Sequence, residues 1–141
     1  MIRKILVAHG GAEWSDAAFD FGLELAGKFD AKLALISVVR LRATGDEDPH
    51  TLVEKGKTRL KALHERLKKK AHAAGKELET RVAVGHPAEQ IIDWAEELRV
   101  DLVVLGHRYR NALGRWLVGS VSGRVMDHAP CSCIIVKEKA S

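Results

Sequence analysis

Residues 1–39, MIRKILVAHGGAEWSDAAFDFGLELAGKFDAKLALISVV, decide the fold. Arg3 to Ala8 is a short apolar run that reads as a buried strand, and it ends at Gly10-Gly11, where a chain can turn sharply. From Glu13 to Phe29 the residues Trp14, Ala17, Ala18, Phe21, Leu25 and Phe29 trace a helical stripe, and Asp30 supplies a turn before a second apolar run, Lys32 to Val39. Strand, helix, strand in so short a span is the unit from which parallel sheets are built, because the helix carries the chain back to its starting end.

The rest of the chain repeats the alternation. Arg40 to His50, with Gly45, several acids and Pro49, is a loop before a long basic helix from about Thr51 to Ala74 that Gly75 ends. Leu78, Val82 and Val84 mark a third strand. Ala88, Ile91, Ile92, Ala95 and Leu98 mark a third helix, and Asp101 to Leu105 a fourth strand apolar throughout. A loop rich in Arg and Gly leads to a helix from about Gly119 to His128, then Ala129-Pro130 and a last strand, Cys131 to Val136. Five strands alternating with helices imply an α/β fold: an open parallel sheet with helices on both faces.

At 141 residues one core is expected, hence one domain over 1–141. With 46% apolar and 30% charged residues the composition is that of a globular chain. No apolar run approaches the roughly 20 residues of a membrane span. The start MIRKILVAHGG enters a glycine loop where a signal peptide would continue, so a cytoplasmic protein with no membrane partner is expected. Cys131 and Cys133 are too few for a disulfide framework or a four-ligand zinc site and read as reduced, partly buried thiols.

The net charge of +4 is concentrated between Glu54 and Lys76, where nine basic residues meet only Glu54 and Glu65. Base-stacking aromatics do not interleave with these charges, and Val53, Leu60, Leu63, Leu67, Ala71 and Ala74 keep helical spacing. The lysines therefore read as a solvated outer face, and nucleic-acid binding ranks last.

In an open parallel sheet a ligand sits beyond the carboxyl ends of the strands where the strand order reverses, here at the loops after strands one and four. The second of these loops runs from Gly106 to Gly119-Ser120, where a helix opens with unpartnered N–H groups, a hydroxyl and the positive end of its dipole, the elements of an anion site. The arrangement Gly, two residues, a third position, nine residues, Gly-Ser resembles the nucleotide loop of the universal stress protein family, with Gly106, Gly119 and Ser120 in register. The ending WLVGSVSGRVMDHAPCSCIIV, Trp116 to Val136, and the turn Gly85-His86-Pro87-Ala88 are similar to the family's as well, so that the likeness spans nearly the whole chain.

The resemblance implies a flavodoxin-like, Rossmann-like sheet of order 3-2-1-4-5 and a homodimer joined through the strand at 131–136. An apolar edge strand gives that pairing a physical motive of its own. It implies a stress-response binding module whose ligand is ATP or another adenine nucleotide, with Mg²⁺ recruited by the nucleotide. The residues that would hold it are Ala8, His9, Gly10, Val38, Gly106, Arg108, Gly119, Ser120 and Val121, with Val38 against adenine; Arg108, Arg110 and Arg115 read either as phosphate contacts that compensate for weaker backbone ones or as plain surface charge.

Two positions depart from the family's ATP-binding pattern. Gly10-Gly11-Ala12 stands where Asp-Gly-Ser is usual, and Tyr109 replaces the second loop glycine. They motivate the alternative of a nucleotide-independent interaction protein of the same family, acting through a protein partner that the sequence does not identify. An enzyme is the weaker reading, at most a slow ATPase: there is no Gly-Lys-Ser or Gly-Lys-Thr phosphate loop and no G-x-G-x-x-G fingerprint. His9 and His107 lack a visible acid or nucleophile partner and read as structural hydrogen-bonders. Trp14 and Trp94 read as packing residues, and Trp116 as a loop residue with its role open.

Overall fold

The computed structural model describes residues 1–12, 14–41, 45, 47–107 and 119–138. The side chain of Trp14, and the readings placed on Arg108, Tyr109, Arg110, Arg115 and Trp116, lie outside the described residues. Five strands and four helices alternate: β1 (Lys4–Ala8), α1 (Trp14–Phe29), β2 (Lys32–Val39), α2 (Pro49–Ala73), β3 (Leu78–Val84), α3 (Pro87–Leu98), β4 (Leu102–Gly106), α4 (Ser120–His128) and β5 (Ser132–Val136). The strands form one sheet of order β3-β2-β1-β4-β5, and every pairing is parallel. The chain winds outward from β1 to β3, returns to β1's other side for β4, and continues to β5. The reversal thus lies between β1 and β4.

Strand alternation divides the core into two layers. Ile5 and Val7, with Leu33, Leu35, Leu102 and Val104, face α1 and α2, where Phe19, Ala26, Leu67 and Ala71 cover them. Leu6, Ala34, Ile36, Val103 and Leu105 face α3 and α4, under Ile91, Trp94, Ala95 and Val125. Trp94 is 3% exposed, and the Arg81 guanidinium lies 4.9 Å from its ring centroid, so Trp94 is a packing residue with a cation on its face.

The helical stripe expected on α1 is rotated by about a quarter turn in the fold. Phe19, Ala18, Gly22 and Ala26 are buried, whereas Phe21 and Phe29 are exposed. The cause is Gly22: its missing side chain lets α1 settle directly on Val7 of β1, and that contact fixes which face turns inward. On α2 the basic residues find acids that the local sequence does not contain. Lys70 pairs with Asp20, Arg66 with Asp16, Lys76 beyond the helix with Asp30, and Lys55 with Glu47. Lys57 and Lys68 pair instead with Glu54 and Glu65 on α2 itself, so the basic face is partly neutralised by α1 and the flanking turns and partly within the helix.

Candidate functional site

The carboxyl ends of β1, β2 and β4 and the start of α4 enclose a cavity of about 290 Å³. Its described walls bring together Ala8, His9 and Gly10 after β1, Val38 at the end of β2, Gly106 at the end of β4, and Gly119, Ser120 and Val121 at the head of α4. Eight of the nine residues singled out in the sequence therefore share one cavity, and Arg108 lies outside the described residues. Sequence reasoning missed Ile36, Arg40, Pro87 and Ile91, which complete the wall on the β2 and α3 side. Period-two alternation would have indicated Ile36, two residues before Val38 on the same strand face, whereas Pro87 and Ile91 approach only because α3 packs across β2.

The chemistry of the walls differs from end to end. On the β2 side the surface is aliphatic from Ile36, Val38, Pro87 and Ile91, with Arg40 joining them just past the end of β2. Over β4 it is the first turn of α4, whose N-cap Gly119 has φ −70° and no side chain to cap the helix, so among the described residues this wall is a dipole-positive helix end lined by Ser120 and Ser122. Among the described lining residues Arg40 is the one with a permanent charge, and none is a carboxylate. The cavity can take a ligand with a flat apolar part at one end and an anionic part at the other.

The loop after β1 is folded onto itself. The Gly10 N–H donates to Ser15 Oγ (3.2 Å) and the Gly11 N–H to His9 Nδ1 (3.0 Å). Gly11 sits at φ +94°, and a Cβ there would also approach Leu60 Cδ2 to 3.3 Å, so glycine is required. With these amides engaged internally, the loop is a wall and the α4 end is the anion-accepting part.

His9 does have an acid partner: Nε2 lies 2.8 Å from Asp16 Oδ1, seven residues further on. Because the Gly11 amide is a donor, Nδ1 must accept, which places the proton of the neutral ring on Nε2, donated to Asp16. Burial lowers the His9 pKa against the opposing hydrogen bond and charge of Asp16, and the Arg66 charge lowers it further. Burial alone would raise Asp16. The hydrogen bond and charge of His9 and the neighbouring Arg66 outweigh it and hold the carboxyl below its usual range. His107 is buried beyond β4, its backbone N–H donating to the Val136 carbonyl (2.9 Å), and it does not line the cavity.

The sequence model of the universal stress protein family matches residues 1–137. A universal stress protein of Methanocaldococcus jannaschii is 32% identical over 98% of this chain and 84% of its own. Among solved structures, the UspA of Lactobacillus plantarum superposes with a TM-score of 0.79 at 29% identity, covering 96% of this chain and 97% of that one. A universal stress protein solved in complex with cAMP does so with a TM-score of 0.75 at 25% identity, covering 96% and 97% of the two chains.

Proposed function

The chain belongs to the universal stress protein family, and on that basis we propose that it is a stress-response binding module that holds an adenine nucleotide in the cavity between β1, β2, β4 and α4. The observation that carries this reading is the polarity of the cavity, aliphatic around Val38 and Ile91 and helix-dipole-positive at Gly119-Ser120. Adenine suits the first end and phosphate the second. The cavity volume of about 290 Å³ is at the lower bound of about 300 Å³ for small-molecule pockets, which favours a compact mononucleotide. Binding of cAMP by a structural relative points the same way. With no carboxylate among the described lining residues, any Mg²⁺ would be recruited by the phosphates of the nucleotide itself.

Titration calorimetry with AMP, cAMP, ADP and ATP, with and without Mg²⁺, tests the reading. Saturable binding is expected. A variant carrying Ser120→Ala and Gly119→Val should weaken it at least tenfold, the effect of losing about 1.4 kcal/mol. The fold should tolerate this change, because a Cβ at Gly119 meets nothing within 4 Å among the described residues and its φ of −70° suits any residue. A folded protein that ignores millimolar nucleotide would instead favour the nucleotide-independent interaction protein. That second reading draws on the loop after β1, whose amides are internally engaged and whose carboxylate is replaced by Gly10.

We propose also that two copies pair through β5. The strand lies at an edge of the sheet, and Cys133, Ile134, Ile135 and Val136 on it are only partly buried. Sedimentation velocity should give twice the chain mass of 15.5 kDa. A species of single mass at tens of micromolar would remove the proposal.

A further inference from the structure

The buried polar groups under α1 and α2 are placed where the function of the cavity could be controlled. Alternation along β1 sends His9 to the same layer as Ile5 and Val7, and alternation along β2 sends Ser37 to the layer of Leu33 and Leu35. Apolar side chains would be expected there. Instead the layer ends in two imidazoles, His9 at 2% and His64 at 3% exposure. His64 Nε2 is 2.7 Å from Ser37 Oγ, so that ring bridges α2 to β2. His9 is different, because one of its two nitrogens holds the cavity wall.

The neutral ring makes two bonds of opposite sense. Nε2–H donates to Asp16 of α1, and Nδ1 accepts from the Gly11 amide. A proton added to Nδ1 leaves the Asp16 bond intact and strengthens it by charge. The same proton sets two donors, Nδ1–H and Gly11 N–H, against each other across 3.0 Å. One must leave, and the movable one is Gly11, a glycine at φ +94° flanked by Gly10. Gly10 and Ala12, on either side of it, line the cavity.

We infer that His9 is a proton-sensitive clasp on the cavity wall: neutral, it holds the Gly10–Ala12 loop in the shape that receives the ligand, and protonated, it releases that loop and weakens binding. His9 is a positioning residue in this scheme. Its coupling to ligand rests on the nucleotide reading, and the clasp itself does not.

The charged and titratable groups acting on His9 from the elements packed against it are Asp16 of α1 and Arg66 and His64 of α2. Asp16 is held ionised by its neighbours and Arg66 is a permanent cation, so neither changes state as the medium passes from neutral to mildly acidic. Burial keeps His9 neutral at pH 7 and places its protonation in the acidic range. The sign is fixed by this: a ligand that favours the closed loop favours the neutral ring, so affinity is full at neutral pH and falls as pH drops through the His9 midpoint.

Residue-resolved NMR of the intact protein reads the clasp directly. The Gly11 amide resonance is expected to move with the same midpoint as the His9 ring, without any ligand. In His9→Asn the side-chain oxygen still accepts from the Gly11 amide but does not titrate, so the amide should stay put. His64→Gln should leave the Gly11 titration in place. Calorimetry with AMP should show affinity falling by about tenfold per pH unit below the midpoint, the limit for one linked proton, and His9→Asn should flatten that slope. A Gly11 amide that is indifferent to His9 protonation would overturn the clasp, and an unchanged affinity slope in His9→Asn would overturn its coupling to the ligand. Failure of AMP to bind at neutral pH while Gly11 still follows His9 would overturn the nucleotide reading and its coupling, and uphold the clasp.

Discussion

Acidified from about pH 7 to about pH 4, the protein is expected to lose about 3 kcal/mol of folding stability through His64 alone. Burial between α2 and β2 is the main cause of its low pKa. The charges of His9 and Lys68 add to it, Glu65 opposes, and the result is about 4 against an ordinary 6.5. The unfolded chain therefore takes up the proton first. The stabilising contribution of the neutral ring is complete above pH 6.5, shrinks as pH falls below that value, and is gone by about 4. Against a typical total of about 5–15 kcal/mol this is a large share. His9, also lowered by burial, adds to the loss in the same direction.

Urea denaturation across this range measures the effect. Replacing His64 alone would strand the Ser37 hydroxyl, at a cost of about 1–3 kcal/mol. The informative variant is His64→Leu with Ser37→Ala, which removes both polar partners together. Its stability curve should be flatter between pH 6.5 and about 4 than that of the native chain. Parallel curves for the two proteins would mean that His64 does not titrate in the fold.

Gly22→Ala is expected to destabilise the protein by about 2 kcal/mol, even though alanine is the better helix former by about 1 kcal/mol. Gly22 lies inside α1, and a Cβ built there would stand 2.5 Å from Val7 Cγ2 and 3.8 Å from Leu33 Cδ1. Val7 is fully buried in the middle of β1 between β2 and β4, so it has nowhere to retreat. The helix must lift, loosening Phe19 and Ala26 from the sheet. Val7→Ala removes the obstructing methyl. In that background Gly22→Ala should cost little or even stabilise, with a coupling of about 1–2 kcal/mol between the two sites. Equal losses in both backgrounds would show that the contact is not what requires glycine.

The same residue marks a limit of reading by periodicity. Trp14, Phe21, Leu25 and Phe29 fall on one helical stripe in the sequence, yet Phe21 is 37% and Phe29 50% exposed. A hydrophobic stripe indicates an amphipathic helix but not which of two adjacent faces lies closest to the sheet. That choice belongs to the closest approach, and the closest approach is at glycine. His64 is a different case: four residues after Leu60 and three before Leu67, it shares their inward face by helical spacing, but only the Ser37 hydroxyl across the interface makes the burial of a polar ring there tolerable.

The site was more legible than the packing. Ala8, His9, Gly10 and Gly106 follow from the rule that ligands gather at the carboxyl ends of strands where the order reverses, whereas the register of Gly119 and Ser120 and the place of Val38 came from the resemblance to the universal stress protein family. Pro87 and Ile91 did not follow, because they reach the cavity through the packing of α3 across β2, which no local pattern encodes. The Asp16 partner of His9 was also invisible: seven residues apart, the two meet only because the chain turns back at Gly10-Gly11 and starts a helix.

The sequence by itself determined the alternation of strands and helices, because periods of two and 3.6 are written into which residues must be buried. It also placed the glycines and Ser120 that shape the head of α4. Tertiary structure alone decided which face of α1 is inward, which acids neutralise the basic face of α2, and that His9 holds its own loop through one nitrogen and Asp16 through the other. Those outcomes depend on distances between separate elements, some adjacent in the chain and some far apart, and such distances are fixed only when the side chains of both layers have packed against one sheet.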